Sequence, residues 1–277
     1  MGLRISTNLA SMAAQRTLGH NQTAAGKSMT RLASGDRITS AGDDAAGLSI
    51  SERLRGQVRS MKQAQRNAND GISLVQVAEG GLGEVSNNLI RMRELSIQAA
   101  SDTISDRERA FIDQEIQQLK IEIDRVGDAT TFNGTNLLNG EAAKEMLELQ
   151  VGANGVEADR IGYNAREYNI KTDNIGIQDT NVLEIDSARE ALSTVDEALD
   201  RVNGFRAGLG AMQNRLQSVS NSLGVNIESL SAANSRIRDT DIAEESAELV
   251  KRNILNSANI AVLAQANQMP SAALRLL

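Results

Sequence analysis

The sequence contains no cysteine and no tryptophan, and only one proline, one histidine, two tyrosines and three phenylalanines among 277 residues. The absence of cysteine excludes disulfides, thiol redox chemistry and thiolate metal sites. A single histidine excludes a histidine-rich zinc site and the usual histidine-centred triad, so we interpret His20 as a polar residue on a helix face. With so few aromatic residues, the core must be built from aliphatic side chains, which favours helix-on-helix seams over a compact enzyme core. One proline permits very long helices.

The charge is acidic overall and uneven along the chain. The formal net charge is −7, which argues against a general nucleic-acid binder. Residues 1–62 carry nine basic and four acidic side chains, whereas residues 101–200 carry nine basic and 22 acidic ones. This distribution suits subunits whose ends pack centrally while their middles face water.

Signals for membrane insertion, secretion by a leader and phosphate binding are weak or missing. The apolar stretch at 260–266 is far short of the about 20 residues of a membrane span. Met1-Gly2-Leu3-Arg4 leads into a polar segment rather than an apolar signal-peptide core, so any export is expected to use another route. The glycines at 80–83 lie inside a helical pattern and do not form a dinucleotide fingerprint. Carboxylates beside arginines, such as Asp124 and Glu190, are interpreted as solvated helix faces.

A heptad repeat runs from Ile185 to Ile237. Alternating steps of three and four residues meet an apolar side chain at twelve of sixteen positions, which predicts one helix with a sustained coiled-coil seam. The seam turns polar at 206, 213 and 220, where an apolar residue stands one position earlier, so we expect the apolar stripe to drift. At about 1.5 Å per residue, this helix is roughly 80 Å long.

Two earlier segments supply partners for this helix. The same period runs from Leu54 to Ala99, and we expect Asp43 and Asp44 to cap the start of that helix. A shorter repeat runs from Ile112 to Val126. It follows a capping-box signal and precedes a glycine that we expect to help end the helix, at Ser105, Glu108 and Gly127.

The segment 128–183 has a different pattern. Asn133-Gly134, Asn139-Gly140 and Asn154-Gly155 punctuate short alternating runs such as 147–151. Asn-Gly pairs between alternating runs are typical of hairpin turns, so we predict a small β-rich region here.

The two ends of the chain are helical in pattern but have few large apolar side chains. The N-terminal stripe is Ile5, Leu9, Met12, Met29 and Leu32, and the C-terminal one is Ala243, Ala247, Val250, Ile254, Ala258, Ala261 and Ala264. Alone, such segments bury too little area to offset the entropy of ordering. We expect them to be disordered in a monomer and to order against copies of themselves.

Several long motifs resemble bacterial flagellin and occur in the order found in that family. They stand at residues 5–9, 31–35, 40–47, 65–73, 237–243 and 264–268. The resemblance covers essentially the whole chain and implies a mainly α fold. That fold is a long antiparallel coiled-coil rod with a small β-hairpin region and terminal helices that form an inner coiled coil in the filament.

The resemblance also implies a division of the chain and a short form without the family's outer variable domains. The expected parts are the N-terminal half of the filament core at 1–42, rod helices at 43–127, the hairpin region at 128–183, a C-terminal rod helix at 184–236 and the second core half at 237–277. On this basis the filament-core interface comprises Ile5, Leu9, Met12, Leu32, Ala247, Val250, Ile254 and Ala261.

The implied function is a structural subunit of the filament used for swimming, with no catalysis, cofactor, metal, nucleic acid or membrane. The protein is expected to be secreted through the flagellar type III channel to the extracellular filament. Its implied partners are further copies, flagellin paralogues, the cap and hook–filament junction proteins, and an export chaperone at about 235–277.

One recognition surface follows from the resemblance residue by residue. Residues 89–98 resemble the segment bound by the mammalian Toll-like receptor for flagellin, which implies roles for Arg91, Leu95 and Gln98, with Glu115 from the next helix. Positions 91, 95 and 98 share one face of a helix, and Arg91 has the charge to pair with a carboxylate. The alternative, which we favour, is that this face serves subunit contacts that a receptor exploits.

Four other kinds of protein are alternatives to a filament subunit. A hook–filament junction protein shares the terminal helices but usually diverges from the Arg-Asn-Ala-Asn-Asp-Gly motif at 66–71. A soluble coiled-coil module such as a chaperone predicts a small oligomer with ordered ends. An enzyme would need a set of catalytic residues that this sequence lacks. A membrane-lytic helix would need a strongly basic, aromatic end, which neither end of the chain has.

Overall fold

The computed structural model describes residues 7–141 and 146–274. Its helices are α1 (Leu9–Ser34), α2 (Ala45–Ala99), α3 (Asp106–Ala129), α4 (Thr172–Ile175), α5 (Ile185–Arg238) and α6 (Ile242–Leu274). The strands are β1 (Thr131–Phe132), β2 (Thr135–Asn136), β3 (Met146–Gln150) and β4 (Arg160–Asn164). The expected mainly α fold with small hairpins is confirmed. Within the described residues, no helix is long and apolar enough to span a membrane.

The chain forms two compact units. One comprises residues 1–58 and 228–277, and the other comprises residues 59–227. The first contains α1, α6 and the adjoining ends of α2 and α5. The second contains the middle of α2, all of α3, the strands, and most of α5.

The core of the second unit is a heptad seam between long helices. On α2, buried small and aliphatic residues recur at alternating steps of three and four from Ala64 to Ala99. On α5, the set spaced by seven from Ala188 to Leu223 is buried, as the repeat predicts. The expected drift of the α5 stripe is wrong. The second buried or half-buried set already stands one position earlier at Ala191 and Ala198 and continues there through Val219.

Helix α3 begins as predicted and ends later than predicted. The Ser105 side chain accepts from the Glu108 backbone, and the Glu108 carboxylate accepts from the Ser105 N–H, which confirms the capping box. The helix continues through Gly127 to Ala129. A Cβ on Gly127 would lie 3.3 Å from a side-chain carbon of Ile170, so this glycine permits close packing and does not end the helix.

The segment after α3 contains two antiparallel hairpins. Thr131 pairs with Asn136, and the tight turn between β1 and β2 places Asn133 at φ 49° and Gly134 at φ 74°. Positive φ at both central residues is the geometry that Asn-Gly turns favour, so this predicted hairpin is confirmed. In the second hairpin, Leu147 of β3 faces Tyr163 of β4.

Aromatic residues anchor this segment to the helices. The rings of Tyr163 and Tyr168 stack with centroids 5.2 Å apart, and Phe205 of α5 meets Tyr168 edge-on at 5.9 Å. The buried Tyr163 hydroxyl donates to the Leu137 carbonyl at 2.8 Å, and burial raises the pKa of this phenol well above its usual range. The few aromatic residues of the chain are therefore concentrated where regular helix packing stops.

Polar side chains of α3 hold the chain that leads to α5. The half-buried Asp124 accepts from the Thr172 N–H at 2.8 Å and from its hydroxyl at 3.0 Å, so our interpretation of Asp124 as a solvated residue is wrong. Lys120 donates to the carbonyls of Gln178 and Thr180 at 2.8 and 2.5 Å, and burial lowers the pKa of its ammonium group. These bonds satisfy backbone groups in a segment that lacks regular structure.

Candidate assembly surfaces

Helices α1 and α6 pack as an antiparallel pair through a heptad seam made largely of polar and small residues. The Asn8 amide donates to the Ala266 carbonyl at 2.7 Å, and Arg31 lies 3.6 Å from Glu245 at the other end. Buried and half-buried seam positions alternate steps of three and four residues on both helices. The seam positions are Ser11, Ala14, Leu18, Asn21, Ala25, Ser28 and Leu32 on α1, and Glu245, Leu249, Arg252, Asn256, Asn259, Leu263 and Ala266 on α6, with half-buried neighbours at 24, 31, 246 and 248.

The polar groups of this seam are only partly satisfied. The Arg252 guanidinium donates to Asn21 Oδ1 at 3.2 Å, and the Ser11 hydroxyl donates to Asn267 at 2.8 Å. Among the described residues, buried Asn256 Oδ1 and Asn259 Nδ2 have no hydrogen-bond partner. A buried polar atom without a partner costs about 1–3 kcal/mol, so the pairing of α1 with α6 is specific but weak.

The predicted filament-core residues lie mainly on the outer faces of these helices. Leu9, Met12, Ala247, Val250, Ile254 and Ala261 are exposed, Leu32 is half-buried, and Ile5 lies outside the described residues. All seven residues of the predicted α6 stripe are exposed, and on the helix they stand opposite the seam. We call this arrangement inside out, because the inward positions hold mostly polar and small residues, with four leucines among the fourteen, while most of the large apolar side chains are exposed.

A short two-stranded link joins the chain beside this pair. The Thr240 N–H donates to the Gly35 carbonyl at 2.9 Å, and the Arg37 N–H donates to the Arg238 carbonyl at 2.6 Å. Gly35 has φ 75°, a left-handed conformation that glycine adopts without strain and that ends α1.

Arg238 bridges two carboxylates beside this link. The Arg238 guanidinium lies 3.2 Å from Asp36 and 2.5 Å from Glu52 of α2. The hydrogen bond from Arg238 lowers the pKa of Glu52.

The two predicted capping aspartates have different roles. Asp44 Oδ1 accepts from the Gly47 N–H at 2.8 Å and caps α2 as expected. Asp43 instead accepts from Thr39, from Ser40 and from Lys27 at 3.1 Å, and these bonds, Lys27 first, lower the pKa of Asp43 well below its usual range. Asp43 therefore holds the turn before α2 against α1.

The predicted recognition surface on α2 and α3 is only partly at the surface. Arg91 donates to Glu115 at 2.9 Å and to Glu94 at 3.1 Å, as its charge suggested, and the bond to Glu115 raises the pKa of Arg91. Gln98 and Glu115 are exposed, whereas Leu95 is 2% exposed. We therefore correct the expected shared face, because Leu95 packs in the core beneath the other three.

Sequence reasoning missed the apolar residues around this ion pair. Ile90, Ile97 and Phe111 are all exposed. They stand off the heptad seam, at positions where the rest of each helix is polar. A large apolar residue at a repeat position that is otherwise polar is the sequence signal by which these three exposed residues could have been found.

The motif at 65–71 also has a structural role that sequence reasoning missed. Gln65 donates to the Ser220 carbonyl of α5 at 3.3 Å, and Asn67 donates to the Gln150 carbonyl of β3 at 2.9 Å. A Cβ on Gly71 would lie 2.5 Å from a methyl carbon of Leu149. The motif therefore docks the β3–β4 hairpin and α5 onto α2.

Within residues 7–141 and 146–274, no three His, Asp or Glu side chains converge as metal ligands. The exposed apolar side chains of α1 and α6 are suited to covering by other apolar surfaces.

Comparison with known proteins relates both ends of the chain to one family. Residues 5–143 match the bacterial flagellin N-terminal helical region, and residues 192–277 match the bacterial flagellin C-terminal helical region. The chain is 44% identical to a flagellin of Halalkalibacterium halodurans, covering 99% of both chains. It is 42% identical to a flagellar filament 33 kDa core protein of Treponema phagedenis, again covering 99% of both chains.

Solved structures agree with this comparison. Bacillus cereus flagellin is similar with a TM-score of 0.51 and 32% identity, over 57% of this chain and 88% of that one. A putative flagellar hook-associated protein from Vibrio parahaemolyticus has a TM-score of 0.58 at 16% identity, over 71% of this chain and 100% of that one, and shows the fold alone.

Proposed function

The chain belongs to the bacterial flagellin family and is a structural subunit of the flagellar filament, and we propose that copies assemble through the outer faces of α1 and α6. The inside-out packing of this pair is the observation that supports the proposal. Its polar seam holds the two helices in register, and its apolar residues are left for neighbouring copies to cover.

The exposed apolar area is of the size that assembly needs. Nine large apolar side chains on α1 and α6, among them Leu9, Val250 and Ile254, are each 52–66% exposed. Covering the remainder of each contributes roughly 1 kcal/mol, so together they supply on the order of 9 kcal/mol per subunit. That magnitude is comparable to the cost of association, which is about 4–15 kcal/mol.

The same weakness suits a chain that is exported unfolded. Because the seam is poorly satisfied, α1 and α6 order fully only when other copies cover them. We assign export to the flagellar type III route, with a chaperone on about 235–277, and place the subunit in the extracellular filament with cap, junction proteins and paralogues as partners. The role is non-catalytic, in keeping with a structural protein family.

The exposed part of the α2–α3 surface is assigned first to subunit contacts. The two salt bridges of Arg91 fix its side chain beside Glu94 and Glu115, which gives a partner a preformed polar surface. The flanking exposed isoleucines supply apolar area. A Toll-like receptor would use the same preformed surface.

Assembly is tested by making the outer face of α6 polar in the full-length chain. Val250→Asp with Ile254→Asp is expected to leave the melting of residues 59–227 unchanged and to abolish filaments in negative-stain electron microscopy. Asn253→Asp places a charge on the exposed flank of the same helix and serves as the control. Deleting 1–40 or 240–277 is also expected to abolish filaments, and normal polymerisation of these variants would refute the proposal.

A further inference from the structure

Three exposed cations line one face of α2 in the second unit. Arg59, Lys62 and Arg66 follow one another at steps of three and four residues, so they project from the same side of the helix. Arg66 donates to the neutral Gln63 side chain. Within the described chain none of the three has a carboxylate partner, and we call them the basic stripe.

Three exposed carboxylates line one face of α5. Glu190, Glu197 and Asp200, the acidic stripe, follow at steps of seven and three residues and have no cationic partner in the part of the chain that the structure describes. The two arginines that flank them are engaged, one with a carboxylate and one with a backbone carbonyl, in the pairs Arg189–Asp186 and Arg201–Asn174.

A cleft beside the acidic stripe adds an unpaired acceptor. It has a volume of about 210 Å³ and is lined by Asp179, Thr180 and Glu190, among others. Thr180 is 9% exposed, and its Oγ1 has no hydrogen-bond partner among the described residues. Two carboxylates and a free hydroxyl acceptor suit the donors of a guanidinium or ammonium group.

The two stripes cannot meet within one chain. The contacts Arg93–Asp196 and Asn69–Ser220 set the antiparallel register of α2 and α5. They place Lys62 opposite residue 227, which is about 30 residues, or about 45 Å, along α5 from Glu197. The stripes are complementary in charge, and the acidic stripe, ten residue steps long, can span the seven of the basic one, so a second copy shifted along these helices would bring one against the other.

We propose that the basic stripe of one copy docks on the acidic stripe and adjoining cleft of another copy in the filament. The proposal rests on assembly of the chain through its ends and adds a second, electrostatic contact between the outer faces of α2 and α5. A contact between two different patches repeats head to tail, which generates an open polymer rather than a closed dimer. Complementary charge also fixes register between copies and rejects misaligned ones.

Charge reversal with rescue tests this pairing in the full-length chain. One variant carries Arg59→Glu, Lys62→Glu and Arg66→Glu, a second carries Glu190→Lys, Glu197→Lys and Asp200→Lys, and a third combines all six changes. Sedimentation measures the critical concentration for polymerisation. Each single-stripe variant is expected to raise it at least about tenfold, because attraction becomes repulsion at several pairs. The combined variant is expected to return to within about threefold of the original chain.

Matched controls separate pairing from charge and folding effects. Arg53→Glu and Glu84→Lys, both on α2, change exposed charges away from both stripes and are expected to have little effect. If a triple variant melts earlier than the original chain, Lys62→Glu, Glu197→Lys and their combination replace it. Reversals that behave like the controls, or a combined variant no better than its parents, overturn the pairing. Failure of the original chain to polymerise would instead refute the proposed function.

Discussion

Replacing the unsatisfied asparagines of the α1–α6 seam with leucine is expected to stabilise that pair in the monomer. Asn256 Oδ1 and Asn259 Nδ2 are buried without hydrogen-bond partners among the described residues. Removing each costly polar atom recovers about 1–3 kcal/mol. A half-buried leucine adds roughly 1 kcal/mol, less the entropy of fixing it. Asn256→Leu with Asn259→Leu should therefore stabilise the pair by about 4 kcal/mol.

Amide hydrogen exchange of the monomer measures this change directly. A gain of about 4 kcal/mol slows exchange of residues 9–34 and 242–269 by about a thousandfold, if those amides exchange through separation of the two helices. Asn253→Leu makes the same chemical change on the exposed flank of α6 and should slow exchange far less. Equal effects from the seam and flank substitutions would refute the conclusion that polar seam residues keep the pair weak.

Three further predictions concern single residues. Gly71→Val is expected to displace Leu149, to cost about 1–3 kcal/mol and to speed amide exchange in β3, whereas Gly80→Val, which meets open space, should not affect β3. Arg109→Leu removes the guanidinium bonds to the carbonyls of residues 99 and 104, and a longer one to residue 101, and should lower Tm by roughly 6–12 °C, with the exposed Arg107→Leu as control. Because the folded pKa of Asp43 lies below its ordinary value of 3.8, its stabilising effect is complete above about pH 4 and is lost as pH falls further. The protection factor of the Ser40 amide, which is its exchange rate corrected for the intrinsic rate at each pH, should therefore fall there, but not in Asp43→Asn.

The long helices were predictable because their seams are apolar and strictly periodic. The extent of α5 was predicted to within one residue of its observed end at Arg238. The second set of seam positions was wrong at 192 and 199, because Leu192 and Leu199 are more apolar than their neighbours Ala191 and Ala198, whereas the predicted position Ser220 is buried. Burial follows the heptad geometry, so the smaller residues take the inner positions and the leucines lie half-buried beside them.

The α1–α6 seam was invisible to the same reasoning. A search for apolar periodicity finds the outer stripe of α6, because the inner positions hold residues such as Asn256 and Arg252. The sequence therefore indicated which residues form an apolar stripe on α6. It did not show that this stripe faces away from α1, the partner helix of the same chain. The anchors of the irregular segment, such as Asp124 to Thr172 at 2.8 Å, join residues 48 positions apart and leave no local signal.

The contrast between the two units explains how one chain serves both as a stable building block and as an assembly element. The second unit buries its aliphatic heptads and its tyrosines, so it satisfies its own core. The α1–α6 pair does the reverse, since Ser11 and Asn21 face inward while Leu9 and Met12 face outward. Under the proposed assembly, neighbouring copies would cover the exposed apolar faces that one copy leaves open. Assembly and ordering of the ends would then be the same event, and filament growth would be limited to sites where neighbouring copies are already in place.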